Sequence, residues 1–241
     1  MYWFEKISKP IVGLAPMHGF TDSAFRLRCR KLGADVTYSE MIAAEAIIRH
    51  VPKVFEMIKF NEAERPIVIQ IFGSNPKTMA KAAKIIEDEF GPDGIDINFG
   101  CPVQKAAKQN FGAIQLSDVD AAQKIVKAIS KALDHTPLSA KMRLPNNNID
   151  DAIKFVAAIK DAGVKLIAVH GRTATQKYRG QADWAPIYEI KKQFPDLYVL
   201  GNGDVRSKTD LDAKLGNLDG VLVGRVAKIN PEIFLEFKKI L

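Results

Sequence analysis

The chain has 241 residues, of which 47% are hydrophobic, and this length suits one domain with a sizeable core. Its two cysteines exclude a disulfide scaffold and a thiol-rich metal cluster, and we predict no metal site. The absence of a long apolar run or a secretory signal predicts a cytoplasmic protein with no membrane partner. The net charge of +7 suits a polyanionic partner such as nucleic acid, although solvated lysine-rich helix surfaces explain it equally well.

Short runs rich in valine, isoleucine and leucine alternate with segments of helical periodicity, a pattern typical of βα units. The predicted strands are Ile11–Pro16, Val36–Met41, Pro66–Phe72, Gly94–Gly100, Leu138–Arg143, Leu166–Arg172, Tyr198–Asp204 and Gly220–Val226. The predicted helices include Asn75–Phe90, Val119–Leu133 and Asp151–Ala162, with Asn75, Ser117 or Asp118, and Asp150 as N-caps. Eight such units predict a single-domain α/β protein, a (β/α)8 TIM barrel over residues 1–241, with a doubly wound open sheet as the alternative.

Functional residues of a TIM barrel follow the carboxyl ends of its strands. In this chain those positions hold Pro16 and Met17, Glu40 and Met41, Gln70, Asn98 and Cys101, Lys141 and Arg143, His170 and Arg172, Asn202 to Asp204, and Gly224 and Arg225. Stability alone does not explain so many polar groups at one rim, so we predict an active site there. The stretch from Pro145 to Ile149 lies on the same rim and is a candidate lid.

The last two predicted units carry glycine turns, Gly201-Asn202-Gly203-Asp204 and Gly224-Arg225. Loops at this place in a TIM barrel commonly bind phosphate through backbone N–H groups, with arginine adding a charged contact, so we predict a phosphate site. Lys141 and His170 end apolar strands and are predicted to point into the barrel mouth, where a buried lysine needs an anionic partner. If the phosphate belongs to a flavin, both can stabilise negative charge on the reduced ring. A satisfied core histidine is the alternative for His170.

Cys101 follows the predicted fourth strand, and Pro102 stiffens the turn after it. An ordinary cysteine thiol, with a pKa of about 8.5, is mostly protonated at neutral pH and can serve as a general acid. The sequence assigns no histidine to activate Cys101 as a nucleophile. Cys29 shares a helical face with Phe25 and Leu32, so we predict a core residue there.

Ordered motifs run along nearly the whole chain. They are Ala15-Pro16-Met17 with Gly19, Thr21 and Asp22; Ser39-Glu40-Met41; Gln70-Ile71-Phe72-Gly73; Asp96-Ile97-Asn98-Phe99-Gly100-Cys101-Pro102; Lys141-Met142-Arg143; His170-Gly171-Arg172-Thr173 with Tyr178, Gly180 and Ala182-Asp183-Trp184; and the two glycine turns. With these motifs the chain resembles the tRNA-dihydrouridine synthases, flavoenzymes that reduce specific uridines in tRNA.

The resemblance implies bound FMN, NADPH as the reductant and tRNA as the substrate. Hydride from reduced FMN would reach C6 of the uracil while Cys101 protonates C5. It further implies that Pro16, Met17, Gln70, Lys141 and His170 contact the isoalloxazine, that Asn202, Gly203, Asp204, Gly224 and Arg225 hold the ribityl phosphate, and that Asn98 and Arg172 lie near the substrate base.

A uridine in folded tRNA must be extruded to reach such a site, and phosphate contacts must offset the cost. The candidates for those contacts are Lys105, Lys108, Lys177 and Arg179, each of which is equally well explained as a solvated surface residue. Family members usually continue into a helical domain that grips tRNA. We expect that domain to be absent from this chain, which would then be either a shortened form or a minimal type whose barrel alone binds RNA, as an oligomer or with a helper protein. The segment after Cys101 also departs from the family's usual glycine- and alanine-rich form.

Two other functions remain open from the sequence. One is an FMN-dependent barrel reductase of a small molecule, similar to dihydroorotate dehydrogenase or an ene-reductase. The other is an RNA-binding flavoprotein without catalysis. The His170-to-Thr173 stretch and the basic charge argue against the first, and intact Cys101, Lys141 and His170 argue against the second.

Overall fold

The computed structural model describes residues 1–103, 106, 108–146 and 148–238, and its centre is one parallel sheet. The strands are β1 (Ile11–Leu14), β2 (Thr37–Tyr38), β3 (Ile42–Ala43), β4 (Ile67–Phe72), β5 (Gly94–Phe99), β6 (Leu138–Leu144), β7 (Leu166–Thr173), β8 (Tyr198–Asn202) and β9 (Gly220–Val223). From β4 to β9 each strand pairs with the next; β9 pairs with β1, and β2 pairs with both β1 and β4. The sheet therefore closes into a TIM barrel, as predicted, and the open-sheet alternative is wrong.

The predicted second strand is two short strands rather than one. The ladder with β4 runs Tyr38 to Val68 and resumes at Ile42 to Ile71, so one extra residue bulges out between the two pairings. The hydroxyl of Ser39 accepts the backbone N–H of Gln70 at 2.9 Å, where a regular ladder would offer a carbonyl. A side chain thus replaces a backbone partner and interrupts the strand.

Helices cover the outside of the barrel. They are α1 (Ser23–Lys31), α2 (Ala44–Ile48), α3 (Pro52–Ile58), α4 (Pro76–Phe90), α5 (Val119–Ala132), α6 (Ile149–Asp161), α7 (Ala185–Gln193), α8 (Lys208–Leu215), α9 (Arg225–Ile229) and α10 (Ile233–Lys238), with 3₁₀ turns at Trp3–Glu5, Glu62–Glu64 and Gly112–Ser117. Among the described residues, no helix combines the length and the apolar character that a membrane crossing needs.

Two of the three predicted N-caps are confirmed. The side chains of Asn75 and Asp118 accept the backbone N–H groups of Thr78 and Ala121. The prediction of Asp150 is wrong, because Asn148 accepts the N–H of Asp150 and α6 already begins at Ile149. Asp150 instead lies in the first turn, where the helix dipole favours a carboxylate.

The barrel interior changes character along its axis. Its amino-terminal part is apolar, with Trp3 and Phe4 packed against side chains such as Val68, Leu166 and Leu200. Further along the axis the buried side chains are polar: Ser139 and Asp96 lie within their strands, and Gln70 and Asn98 lie nearer the carboxyl ends. A second apolar cluster fills the space between strands and helices and includes Cys29, which is fully buried as predicted. The packing thus concentrates polar groups at the mouth.

Candidate active site

Strand pairing brings the predicted site residues of the central strands together. Asn98 is opposite Lys141, Arg143 is opposite His170, and His170 is opposite Asn202. Because all strands are parallel, these residues lie at one level of the barrel, at its carboxyl end. A side chain built at Gly224 would meet the sulfur of Met17 at 3.9 Å, so the ends of β1 and β9 also meet there.

Lys141 is a partly buried cation whose nearest hydrogen-bond partner is a neutral amide. Its Nζ donates to Oδ1 of Asn202 at 3.0 Å. Burial, with the charge of Arg143 adding to it and that of Asp96 opposing it, lowers the pKa of Lys141 to about 8. Among the described residues no carboxylate lies within ion-pair distance of this ammonium group. The position is therefore suited to an anionic ligand.

His170 is held neutral. Burial, followed by the charges of nearby cations, lowers the pKa of its imidazole to about 2; those cations are Lys141, Arg143, Arg172 and Arg225. Its Nε2 lies 3.4 Å from Nη1 of Arg172, which can only donate, so Nε2 accepts and the ring proton is on Nδ1. His170 thus offers one N–H donor and no charge.

Asp204 gathers three arginines at the end of β8. Its carboxylate accepts from Arg172 at 2.7 Å, Arg225 at 3.1 Å and Arg206 at 3.2 Å. Burial raises the pKa of Asp204, but the N–H of Ala182 and the Arg172 guanidinium outweigh burial, and the pKa lies below its ordinary value. Arg225 and Arg206 remain exposed and keep N–H groups for an anion, while Arg172 is buried.

Gly203 has a backbone conformation that other residues rarely adopt. Its φ is +124°, and a Cβ there would lie 3.0 Å from Cδ2 of His170 and 2.7 Å from the Cβ of Ala182. The backbone therefore approaches His170 more closely than any side chain permits. This close approach agrees with a loop that presents its backbone to a ligand.

Cys101 is half-buried on a loop that two side chains hold in place. Oδ1 of Asn98 accepts the N–H groups of Gly100 at 3.0 Å and Cys101 at 2.9 Å. Nε of Arg143 donates to the carbonyl of Gly100 at 2.9 Å, and its Nη1 donates to the carbonyls of Thr173 and Lys177. Arg143 thereby ties the loop after β5 to the loop after β7.

A cavity of about 460 Å³ adjoins Cys101, and none of the residues that line it belongs to the two glycine turns. Of the predicted site residues, only Cys101 lines it. Its walls include the exposed apolar side chains of Val103 and Ile114, and Lys154 and Asp151 of α6 add charge. Nδ2 of Asn146, in the predicted lid stretch, donates to Asp151 at 2.6 Å. Position 147 of that stretch lies outside the described residues.

Two residues predicted to lie near the substrate, Arg172 and Asn98, form hydrogen bonds within the protein. Arg172 is 1% exposed and donates to Asp204 and to the carbonyls of Arg179 and Gly180. Asn98 is 9% exposed and donates to Gln70 and, at 3.6 Å, to the sulfur of Met41. Both side chains are thus engaged by the protein itself.

Four residues of the site were not assigned roles from the sequence: Asp96, Arg143, Lys154 and Arg206. Asp96 and Arg143 belong to the ordered motifs, and this membership is the sequence feature that could have indicated a role. Lys154 and Arg206 stand in segments without a motif. Of the predicted RNA contacts, Lys108, Lys177 and Arg179 are exposed, and Lys105 lies outside the described residues.

Comparison with known proteins identifies relatives along almost the entire chain. Residues 13–241 match the family model described as dihydrouridine synthase. The chain is 44% identical to a protein of Aquifex aeolicus named "Probable tRNA-dihydrouridine synthase", covering 94% of this chain and 72% of the relative. It is 35% identical to a protein of the same name from Treponema pallidum, covering 95% and 71%. A Xenopus tropicalis protein, whose name specifies a tRNA-dihydrouridine(47) synthase and NAD(P)(+), is 31% identical over 94% of this chain and 36% of its own.

Solved structures support the fold. A histamine dehydrogenase from Rhizobium sp. 4-9 superposes with a TM-score of 0.68 over 94% of this chain and 45% of its own, at 14% identity. A 2-naphthoyl-CoA reductase superposes with a TM-score of 0.69 over 97% of this chain and 50% of its own, also at 14% identity. The barrel is thus a shared architecture, and the family comes from sequence: the chain belongs to the dihydrouridine synthase family.

Proposed function

We propose that this chain is an FMN-dependent tRNA-dihydrouridine synthase that uses NADPH to reduce the C5–C6 double bond of a uridine. The observation that carries the proposal is the mouth cluster, which we define as Lys141, Arg143, His170, Arg172 and Arg225 with the carboxylates Asp96 and Asp204. Four of its members are cations, two are carboxylates and His170 is neutral. Cys101 stands beside this excess of positive charge, on the loop bonded to Arg143.

The residues of the mouth fit FMN by their chemistry. The Lys141 ammonium, without a carboxylate partner among the described residues, suits the electron-rich edge of the ring, and His170 adds a neutral donor. The turn at Gly203 and the exposed N–H groups of Arg225 suit the phosphate. We assign the ring to Pro16, Met17, Gln70, Lys141 and His170, and the ribityl phosphate to Asn202, Gly203, Asp204, Gly224 and Arg225. Asp204 acts there by holding its arginines.

The chemistry that bound FMN supplies is transfer of a hydride from NADPH to C6 of the uracil. The chain supplies the proton. The Sγ of Cys101 protonates C5, and Asn98 and Arg143 fix the peptide bond that precedes its α-carbon: Asn98 accepts the Cys101 N–H, and Arg143 donates to the Gly100 carbonyl. Arg172 holds His170 and Asp204 in place at the mouth of the barrel. NADPH as the donor is consistent with the NAD(P)(+) in the name of the Xenopus relative.

RNA would approach across the exposed rim. A uridine must leave its stack to reach Cys101, so its neighbours on the strand are drawn to the rim with it. The cavity beside Cys101 offers apolar walls for a flanking base and Lys154 for a phosphate. Lys108, Lys177 and Arg179 are exposed and lie within a few residues, along the sequence, of residues that line the cavity. We therefore place the nucleotides that flank the target uridine in this cavity.

The decisive experiment maps dihydrouridine in unmodified tRNA after incubation with purified protein and NADPH. We expect new dihydrouridine at defined positions, and binding that weakens between two salt concentrations. NADPH oxidation is measured in parallel with enones and dihydroorotate. Turnover with these small molecules alone would favour the small-molecule reductase, and RNA binding with no turnover would favour the non-catalytic flavoprotein.

A further inference from the structure

A continuous series of hydrogen bonds leads from the barrel interior to the backbone of Cys101. Asp96, which is 0% exposed, accepts from Oγ of Ser139 at 2.7 Å and from Nε2 of Gln70 at 2.7 Å. Oε1 of Gln70 accepts from Nδ2 of Asn98 at 2.8 Å. Oδ1 of Asn98 then accepts the N–H groups of Gly100 and Cys101. Every member is buried or nearly so.

The direction of this series is set at its first member. A side-chain amide can face either way, because its oxygen accepts and its nitrogen donates from nearly equivalent positions. Asp96 presents an acceptor to Gln70, so the nitrogen of Gln70 must face Asp96 and its oxygen must face Asn98. Asn98 is thereby obliged to turn its nitrogen to Gln70 and its oxygen to the loop.

The opposite arrangement would disrupt the loop. If the amide of Asn98 were reversed, its Nδ2 donor would face two backbone N–H donors, and both bonds to the loop would be lost. Buried donors without acceptors cost free energy, so the loop would move to find other partners. Cys101 stands on that loop, and its thiol would move with it.

We propose that Asp96 is a positioning residue for Cys101: by presenting an acceptor to Gln70, it fixes the orientation of the Asn98 amide that holds the Cys101 loop. The catalytic consequence rests on the proposed function, since it requires Cys101 to be the proton donor. The geometric consequence does not, because the loop and its thiol can be observed without substrate.

Two substitutions at one position separate the acceptor from the charge. Asp96→Leu removes both. Asp96→Asn removes the charge but can still present an oxygen to Gln70 while its nitrogen faces the Ser139 hydroxyl. Ser139→Ala is the matched control, because it removes the other hydrogen bond to Asp96 and leaves the Gln70 contact in place.

The first measurement is the rate at which iodoacetamide alkylates Cys101 in the FMN-loaded protein, followed by mass spectrometry. Cys29 does not interfere, because it is fully buried and burial raises the pKa of its thiol to about 12. We expect Asp96→Leu to change this rate several-fold, and Asp96→Asn and Ser139→Ala to stay close to the wild type. Thermal unfolding and FMN content show whether each variant is folded.

The second measurement separates the two half-reactions. In Asp96→Leu we expect the uridine-reducing step, measured per bound FMN, to slow by roughly 10- to 100-fold, as for a misplaced catalytic group, and to slow more than NADPH-driven flavin reduction does. An equal loss in Asp96→Asn would show that charge matters and would overturn the proposal. An unchanged alkylation rate in folded Asp96→Leu would also overturn it. Absence of dihydrouridine with the wild type would count against the proposed function alone, since the alkylation comparison stands without it.

Discussion

Two groups of charged side chains in the described part of the chain differ in charge balance. Beneath α1, Arg26 and Glu64 form an isolated pair at 2.7 Å, both almost wholly buried. The other groups of each partner are also satisfied: Arg26 donates to the carbonyls of Thr21 and Lys59, and Glu64 accepts from Ser23 and Asn61. The mouth cluster instead holds four cations against two carboxylates. A charge-balanced pair stabilises the fold by itself, whereas a cluster with an excess of positive charge suits an anionic ligand. The following predictions test that difference.

The largest effect is expected at the thiol beside the mouth cluster. Cys101→Ala should lower dihydrouridine formation by roughly 10²- to 10⁴-fold, because it removes the proton donor, while FMN absorbance and NADPH oxidation by the flavin persist. Single-turnover assays of the two half-reactions measure this. Cys29→Ala, at a fully buried thiol outside the site, is the matched control and should retain activity. Unchanged activity in Cys101→Ala would remove this residue from the acid role.

The next effect is on stability at the balanced pair. Glu64→Gln should destabilise the protein by about 3 to 5 kcal/mol, because it leaves the Arg26 charge buried without its partner. Urea unfolding measures the change. Glu62→Gln, at an exposed ion pair with Arg65, is the control and should leave stability nearly unchanged. A small effect of Glu64→Gln would mean that the balance beneath α1 contributes little to the fold.

Removing a charge from the mouth cluster should change the free energy of unfolding in the opposite direction. Lys141→Met should stabilise the FMN-free protein at pH 7, by on the order of 2 to 3 kcal/mol, because a cation with a lowered pKa is disfavoured in the folded state. The same variant should bind FMN more weakly. Equilibrium unfolding and FMN titration measure the two effects, and Lys124→Met, at an exposed helical position, is the control.

The pH dependence of this difference follows from the pKa of Lys141, about 8 in the folded state against an ordinary 10.5. Between these values the unfolded chain binds more protons than the folded one, so wild-type stability rises with pH relative to Lys141→Met. We expect the advantage of the variant to shrink from pH 8 to pH 10.5 and to be constant below pH 8. A difference that does not vary with pH would mean that Lys141 is not strained by burial.

The smallest effect is expected in the cavity. Lys154→Glu should lower kcat/KM for tRNA a few-fold, more at low salt than at high salt, because one phosphate contact becomes a repulsion. NADPH-driven flavin reduction should be unaffected. Lys127→Glu, on α5, is an exposed control of the same charge change. An equal loss in both variants would indicate a general effect of net charge and not a contact in the cavity.

The barrel could be predicted from the sequence because buried parallel strands appear as apolar runs, and polar residues follow each run at the carboxyl end of the strand. It missed the division of the second strand, because that depends on the Ser39 hydroxyl meeting Gln70 across the sheet. It also misplaced the cap of α6, because three consecutive asparagines precede the helix in the sequence, and the structure shows that the side chain of Asn148 accepts the N–H of Asp150.

Within the site, the sequence indicated which residues meet but not how they are connected. Cys101, Lys141 and His170 were predicted because each follows a strand. The role of Asp96 was missed because it stands inside a strand between Ile95 and Ile97, and its effect passes through two intervening amides. The resemblance placed Arg172 near the substrate. Only the structure shows that its guanidinium donates hydrogen bonds to Asp204 and to two backbone carbonyls.

The two-residue strand that joins β1 to β4 has a consequence for how the barrel opens. β2 consists of Thr37 and Tyr38, it meets β1 through one register pair, and the Tyr38 hydroxyl has no partner among the described groups. The pairing of β6 with β7 is far longer. Backbone amides of β2 should therefore exchange with deuterium sooner than those of β6, which makes β2 the seam at which the closed ring first separates.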